Sequence, residues 1–135
     1  MTVPHELGLA GHSDADVVTH ALIDALLGAG GLTDIGALFP DTDAAYTDAD
    51  SIGLLSEVVT RLASAGWRVG NADVIVICET PKLAPHREAM RARLASALGV
   101  SADAVGVKAT TTEGLGFTGK GEGIAAQAVC LLERS

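Results

Sequence analysis

The stretch Asn71–Cys78, NADVIVIC, constrains the fold more than any other part of this chain. It is too short for a buried helix and rich in β-branched residues, so it reads as a buried strand. Such a strand needs neighbours on its edges and a layer over its face. The sequence on either side supplies helices for that layer. Ser13 reads as an N-cap with Asp16 three residues on, and Val17, Val18, Ala21, Leu22, Ala25 and Leu26 follow as a 3.6-period stripe that Gly28–Gly31 ends. A second helix is expected from about Ser51, with Leu54, Leu55, Val58, Val59 and Leu62 inward and Gly66 closing it.

Pro81 and Pro85 bracket a loop, and Pro85 opens a third helix that stops at Gly99. Ala104–Thr111 reads as a second strand. Gly114–Gly123, with five glycines, is a tight loop. Ile124, Ala126, Ala128, Cys130 and Leu132 alternate as a strand does, so Glu122–Leu132 is expected to return as a hairpin onto Ala104–Thr111. The fold class is α+β, with a mixed or antiparallel sheet and helices on one face. Three strands make a thin sheet, so the other face is either covered by a partner or lacks a strand.

At 135 residues and 13.6 kDa the chain is expected to form one domain, residues 1–135. Its core is built from small and aliphatic side chains, since aromatics are 3% while there are 23 Ala and 16 Gly. No apolar run reaches the ~18 residues of a membrane span, and Met1–Gly11 lacks the pattern of a signal peptide, so a cytoplasmic protein is expected. Cys78 and Cys130 stand far apart in apolar runs and are expected to be buried free thiols.

The net charge of −8 is unevenly placed: Met1–Thr60 carries ten acidic residues and no Lys or Arg. A globally acidic chain with no basic stripe and few aromatics is a poor nucleic-acid binder. Asp-rich and Lys-bearing, Gly-rich segments together suit a metal and a phosphate compound, although acidic residues also serve simply to solvate a surface.

Asp16, His20 and Asp24 fall at i, i+4 and i+8 on one helix face, the arrangement of an imidazole metal ligand steadied by a carboxylate. Gly11-His12-Ser13 precedes them at a helix start, where free N–H groups and the dipole attract anions. Thr33–Gly36 and Phe39–Asp43 put carboxylates next to that helix. Residues 114–121 approach a Walker A loop, but Gly121 replaces the hydroxyl that holds Mg²⁺ and the loop leads into a strand, so a P-loop is rejected. Thr110-Thr111-Thr112-Glu113, with Lys108 and Lys120 on either side, reads as hydroxyl donors to phosphate beside a hard oxygen ligand.

In this order and spacing, Gly11-His12-Ser13-Asp14 through His20, Asp34-Ile35-Gly36, Phe39–Asp43, Thr80-Pro81-Lys82 and residues 108–119 (KATTTEGLGFTG) resemble the 2-C-methyl-D-erythritol 2,4-cyclodiphosphate synthase family of the non-mevalonate isoprenoid pathway. The resemblance covers residues 8–133. It implies a phosphorus–oxygen lyase: the 2-phosphate of 4-diphosphocytidyl-2-C-methyl-D-erythritol 2-phosphate attacks the β-phosphorus, and CMP leaves. It also implies a homotrimer whose sheets pack round a three-fold axis, with active sites between subunits.

Carried over position by position, the resemblance makes His20 a zinc ligand and Glu113 the ligand of a second cation, Mg²⁺ or Mn²⁺. His12 and Ser13 contact substrate, His12 beside the reacting phosphate. Asp34, Ile35 and Gly36 hold the erythritol, flanked by Phe39, Pro40, Asp41, Thr42 and Asp43. Cys78, Glu79, Thr80, Pro81, Lys82, Leu83 and Ala84 bind the cytidine and its phosphate. Thr110, Thr111, Thr112 and Glu113 meet the diphosphate, Thr111 stabilising the transition state, with Phe117 and Lys120 on the following loop.

Two features depart from the family pattern. The Asp-x-His motif that gives two further zinc ligands is not found, so the N-terminal strands are expected to be missing or shortened. Lys120 stands where the family commonly has Arg, facing the trimer axis where an isoprenoid diphosphate can bind; Lys keeps the charge without bidentate geometry. The competing readings are a catalytically weak trimeric binding module for a nucleotide or isoprenoid diphosphate, and a generic metal-dependent phosphohydrolase.

Overall fold

The structure, a computed structural model, describes residues 5–32, 51–77, 86–110 and 125–135. In chain order the elements are α1 (His5–Ala29), α2 (Ser51–Ser64), β1 (Trp67–Ile77), α3 (Arg87–Leu98), a 3-10 turn (Ala102–Ala104), β2 (Val105–Thr110) and β3 (Ala125–Arg134). The sheet is mixed, in the order β2-β1-β3. β1 runs parallel to β2 and antiparallel to β3. The expected hairpin of β3 onto β2 is therefore corrected: β3 crosses to the far edge of β1. Alternating polarity marks the faces of a strand and says nothing of which strand lies at its edge.

All three helices lie on one face, as expected. α1 packs along β3 and β1, α2 over β1 between its neighbours, and α3 over β2. The core between the layers is aliphatic: Val18, Leu22, Ile23, Leu26 and Leu27 from α1 meet Leu54, Leu55, Val58 and Leu62 from α2. Met90, Leu94 and Leu98 from α3 close over Val74, Val76, Val105 and Val107. The inward stripe of α1 is turned slightly from the sequence expectation, since Ile23 and Leu27 are buried while Val17, Ala21 and Ala25 are only half-buried.

α1 begins at His5, not at a Ser13 cap. Glu6, Leu7, Leu9 and Ala10 favour helix, and the opposing glycines at 8 and 11 cost only ~1 kcal/mol each. The helix ends are as read. Gly31 (φ 71) follows α1, where Leu32 N–H reaches back to Leu27 O at 2.9 Å. Gly66 (φ 93) turns the chain into β1, and Gly99 in the left-handed region caps α3. Arg91 fastens α3 to the start of β2: its Nε donates to Val105 O at 2.8 Å and its Nη1 to Glu88 at 2.8 Å.

The other sheet face has no layer over it among the described residues. Val129 and Leu131 point from it, 68% and 54% exposed, and Ile75 and Ile77 are half-buried there.

Candidate active site

The parallel pairing of β1 and β2 sets the site. Ile77 and Thr110, their last residues, are register partners, and Ala125, the first residue of β3, pairs with Ile77 from the other side. Three chain exits therefore meet at one sheet end. Residues 78–84 leave from β1, Thr111 onward leaves from β2, and the stretch holding Phe117 and Lys120 re-enters at β3. In open sheets the crevice beyond the carboxyl ends of parallel strands is where ligands bind, because loops converge there and the strands fix their roots.

The helices add to this end electrostatically. α3 starts just after the segment leaving β1, and its last turn lies with Leu62, Trp67 and Glu133 round a cleft at the opposite end of the sheet. α1 and α2 also finish at that opposite end, where a Cβ at Gly30 would touch Leu62 and Leu132. α2 and α3 thus aim their N-termini, the partial positive ends, toward the side where β1 and β2 end, which favours phosphate there, while α1, beginning at His5, runs on past that level. Measured from Gly30 along α1 at ~1.5 Å per residue, His20 is about 15 Å and His12 about 27 Å away. β3 from Leu132 back to Ala125 spans about 23 Å. His12 is therefore carried to the level of the strand ends, and His20 partway down.

Thr110 is exposed at the strand end, as a donor to a phosphate must be. His20 is partly buried on α1. His12 and Ser13 lie on the helical backbone of α1, and their side chains fall outside the described residues. Asp34, Ile35, Gly36, Phe39, Pro40, Asp41, Thr42 and Asp43 fall outside them too. So do Cys78, Glu79, Thr80, Pro81, Lys82, Leu83 and Ala84, and Thr111, Thr112, Glu113, Phe117 and Lys120.

Among the described residues no three His, Cys, Asp or Glu side chains gather as a metal site. They supply His20 alone, whereas a tetrahedral zinc site takes three or four protein ligands. The described part of the chain does not by itself make up such a site.

Lys108 differs from its sequence reading as a phosphate partner. It lies on the outward face opposite Ile75, and its Nζ donates to Asp73, one row further from the site end. Period-two spacing put residues 106, 108 and 110 on one face, but the partner Asp73 was hidden until β2 was known to lie against β1. Cys130 is half-buried rather than buried, and burial pushes its thiol above the ordinary value.

Comparison with known proteins agrees with the sequence motifs. The YgbB family pattern matches residues 1–133. The 2-C-methyl-D-erythritol 2,4-cyclodiphosphate synthase of Rubrobacter xylanophilus is 63% identical over 133 residues, 98% of this chain and 80% of that one. The enzyme of the same name from Moorella thermoacetica is 60% identical over 132 residues, 98% of this chain and 81% of its own. Among solved structures, the bifunctional IspDF from Campylobacter jejuni superposes with a TM-score of 0.82 at 40% identity, over 88% of this chain and 32% of that one. IspF of Plasmodium falciparum, in a CDP complex, superposes with a TM-score of 0.77 at 28% identity, over 88% of this chain and 71% of that one. With the family pattern along nearly its whole length and relatives at three-fifths identity or more, the chain belongs to the YgbB family, alongside the 2-C-methyl-D-erythritol 2,4-cyclodiphosphate synthases.

Proposed function

We propose that this chain converts 4-diphosphocytidyl-2-C-methyl-D-erythritol 2-phosphate to 2-C-methyl-D-erythritol 2,4-cyclodiphosphate and CMP, in isoprenoid precursor synthesis in the cytoplasm. The observation that supports the reading is the pairing of Ile77 with Thr110, the strand ends from which the segment starting at 78 and the run continuing from Thr110 leave. A nucleotide held by the first segment would have its phosphates over the second. The CDP complex of the Plasmodium falciparum relative supports a cytidine nucleotide as the ligand class.

An oxygen of the substrate's own 2-phosphate forms a bond to the β-phosphorus, and the bond from that phosphorus to the CMP oxygen breaks. No enzyme nucleophile is consumed. Charge builds on the oxygens round phosphorus, so Thr110, Thr111 and Thr112 act as preorganised donors and Lys82 as a fixed cation. His12 and Ser13 orient the reacting phosphate, while Asp34 and Gly36, with Phe39–Asp43, hold the erythritol hydroxyls. His20 and Glu113 are the proposed ligands of divalent cations, which would supply Lewis-acid stabilisation of the same charge. The half-bare sheet face supports a homotrimer, in which two further copies cover Val129 and Leu131 and bring site segments of neighbouring subunits together.

The experiment is incubation with the diphosphocytidyl substrate and Mg²⁺ and Zn²⁺, following CMP by chromatography and the cyclic diphosphate by ³¹P NMR. Stoichiometric formation of both is expected. CMP binding without turnover would transfer the case to a nucleotide-binding module.

A further inference from the structure

On the sheet face turned away from the helices, the outward side chains form a small grid. Lys108 stands opposite Ile75; Gly106 stands opposite Asp73, which has Val129 on its other side; Leu131 lies opposite Asn71. Into this face, where Ile75, Val129 and Leu131 stand beside Asn71 and the exposed Gln127, the fold sets one diagonal ion pair, Lys108 Nζ donating to Asp73 Oδ1. The position is built for it. A Cβ at Gly106 would stand 2.5 Å from Asp73 Oδ1, so any other residue there displaces the carboxylate. The other charges on this face, Arg68 and Glu133, pair at 3.6 Å toward the opposite end of the sheet. Within the described residues the patch thus carries no net charge.

Neutrality matters because of what covers such a face. Copies of one chain closing round an axis bring like positions toward like positions. A lone Lys108, or a lone Asp73, would gather charges of one sign in a site drained of water, where repulsion and desolvation are both severe. We propose that the Lys108–Asp73 pair is the charge-balancing element of the interface between identical copies, the feature that lets this face associate with itself. This rests on the homotrimer reading above.

The test is sedimentation velocity over a range of protein concentrations on wild type, Asp73→Asn, Lys108→Met and the double variant. Wild type is expected near three times 13.6 kDa. Each single variant, left with one uncompensated charge, should associate on the order of a hundredfold more weakly. The double variant, neutral again, should return to within about tenfold of wild type. Both side chains are about half exposed on the protomer, 54% for Lys108 and 42% for Asp73, so each subunit should fold in every variant, which far-UV dichroism checks. Single variants that associate like wild type, or a double variant that stays dissociated, overturn the charge-balance proposal and leave the trimer standing. A wild type that sediments at 13.6 kDa removes the trimer reading itself.

Discussion

Ile77 and Thr110 lie side by side at the carboxyl ends of two parallel strands, although 33 positions separate them in the chain. That adjacency brings together the strand ends from which residues 78 onward and 111 onward continue, and sequence spacing alone says nothing of their distance.

Lys82 belongs to the segment that leaves β1 and stands well away in sequence from the proposed metal ligands His20 and Glu113. Lys82→Ala should weaken CMP binding roughly ten- to a hundredfold, the loss of one charge-assisted hydrogen bond. Calorimetric titration with CMP measures it, with metal content by mass spectrometry as the control that should not move. Unchanged CMP affinity would place the phosphate elsewhere.

His20→Ala tests the metal assignment with a readout independent of turnover. Protein prepared with zinc supplied and then dialysed should retain at least tenfold less metal than wild type, since a ligand has been removed. Its melting temperature in chelator should stay near that of chelated wild type. Equal metal retention would show that His20 serves α1 and not a cation.

Gly106→Ala should cost about 1 kcal/mol in the wild type, because the new methyl group drives Asp73 away from Lys108. In an Asp73→Asn background the same change should cost measurably less, the ion pair being already lost. Chemical denaturation of the four proteins gives the coupling. Additive costs would mean that Gly106 answers to strand geometry alone.

The raised Cys130 thiol gives a prediction with a definite sign. Its neutral form persists in the folded protein at pH values where the unfolded thiol ionises. The associated stability is present below the unfolded pKa and is lost as pH rises through the folded one. In a Cys78→Ser background, alkylation at pH 8 should run slower than for free cysteine, the two rates converging on unfolding. Equal rates in the native state would contradict the burial.

Much of this fold is written locally. Gly31, Gly66 and Gly99 end their helices where left-handed backbone is needed, and β1 is apolar enough to announce itself. The start of α1 was not legible from Ser13, because a good capping residue also tolerates a place inside a helix when the preceding residues favour one. The edge chosen by β3 was not legible either. Glycines at 114–123 suggested a tight return, yet residues 111–124 are enough chain to carry β3 past β2 to β1. Of the site, His12, His20, Lys82 and Thr110–Glu113 stood out as motif residues. Lys108 misled for want of its partner, since no spacing along one strand reveals a carboxylate on the next.

The crossing of β3 to the outer edge of β1 also governs when the protein can take shape. Among the described residues β1 has β3 on that edge, and α1, which precedes β1 in the chain, rests largely on the same strand. α1 therefore buries its apolar stripe fully only once β3, far along the chain from it, has paired with β1. Pairings so distant in sequence carry a large loop-closure cost, and chains dominated by them fold slowly. As the chain emerges from the ribosome, β1 and β2 can join with α2 and α3 while one edge of β1 stays bare. That edge is a template for strands of other nascent chains, so the window before β3 is made is when this protein is most exposed to aggregation.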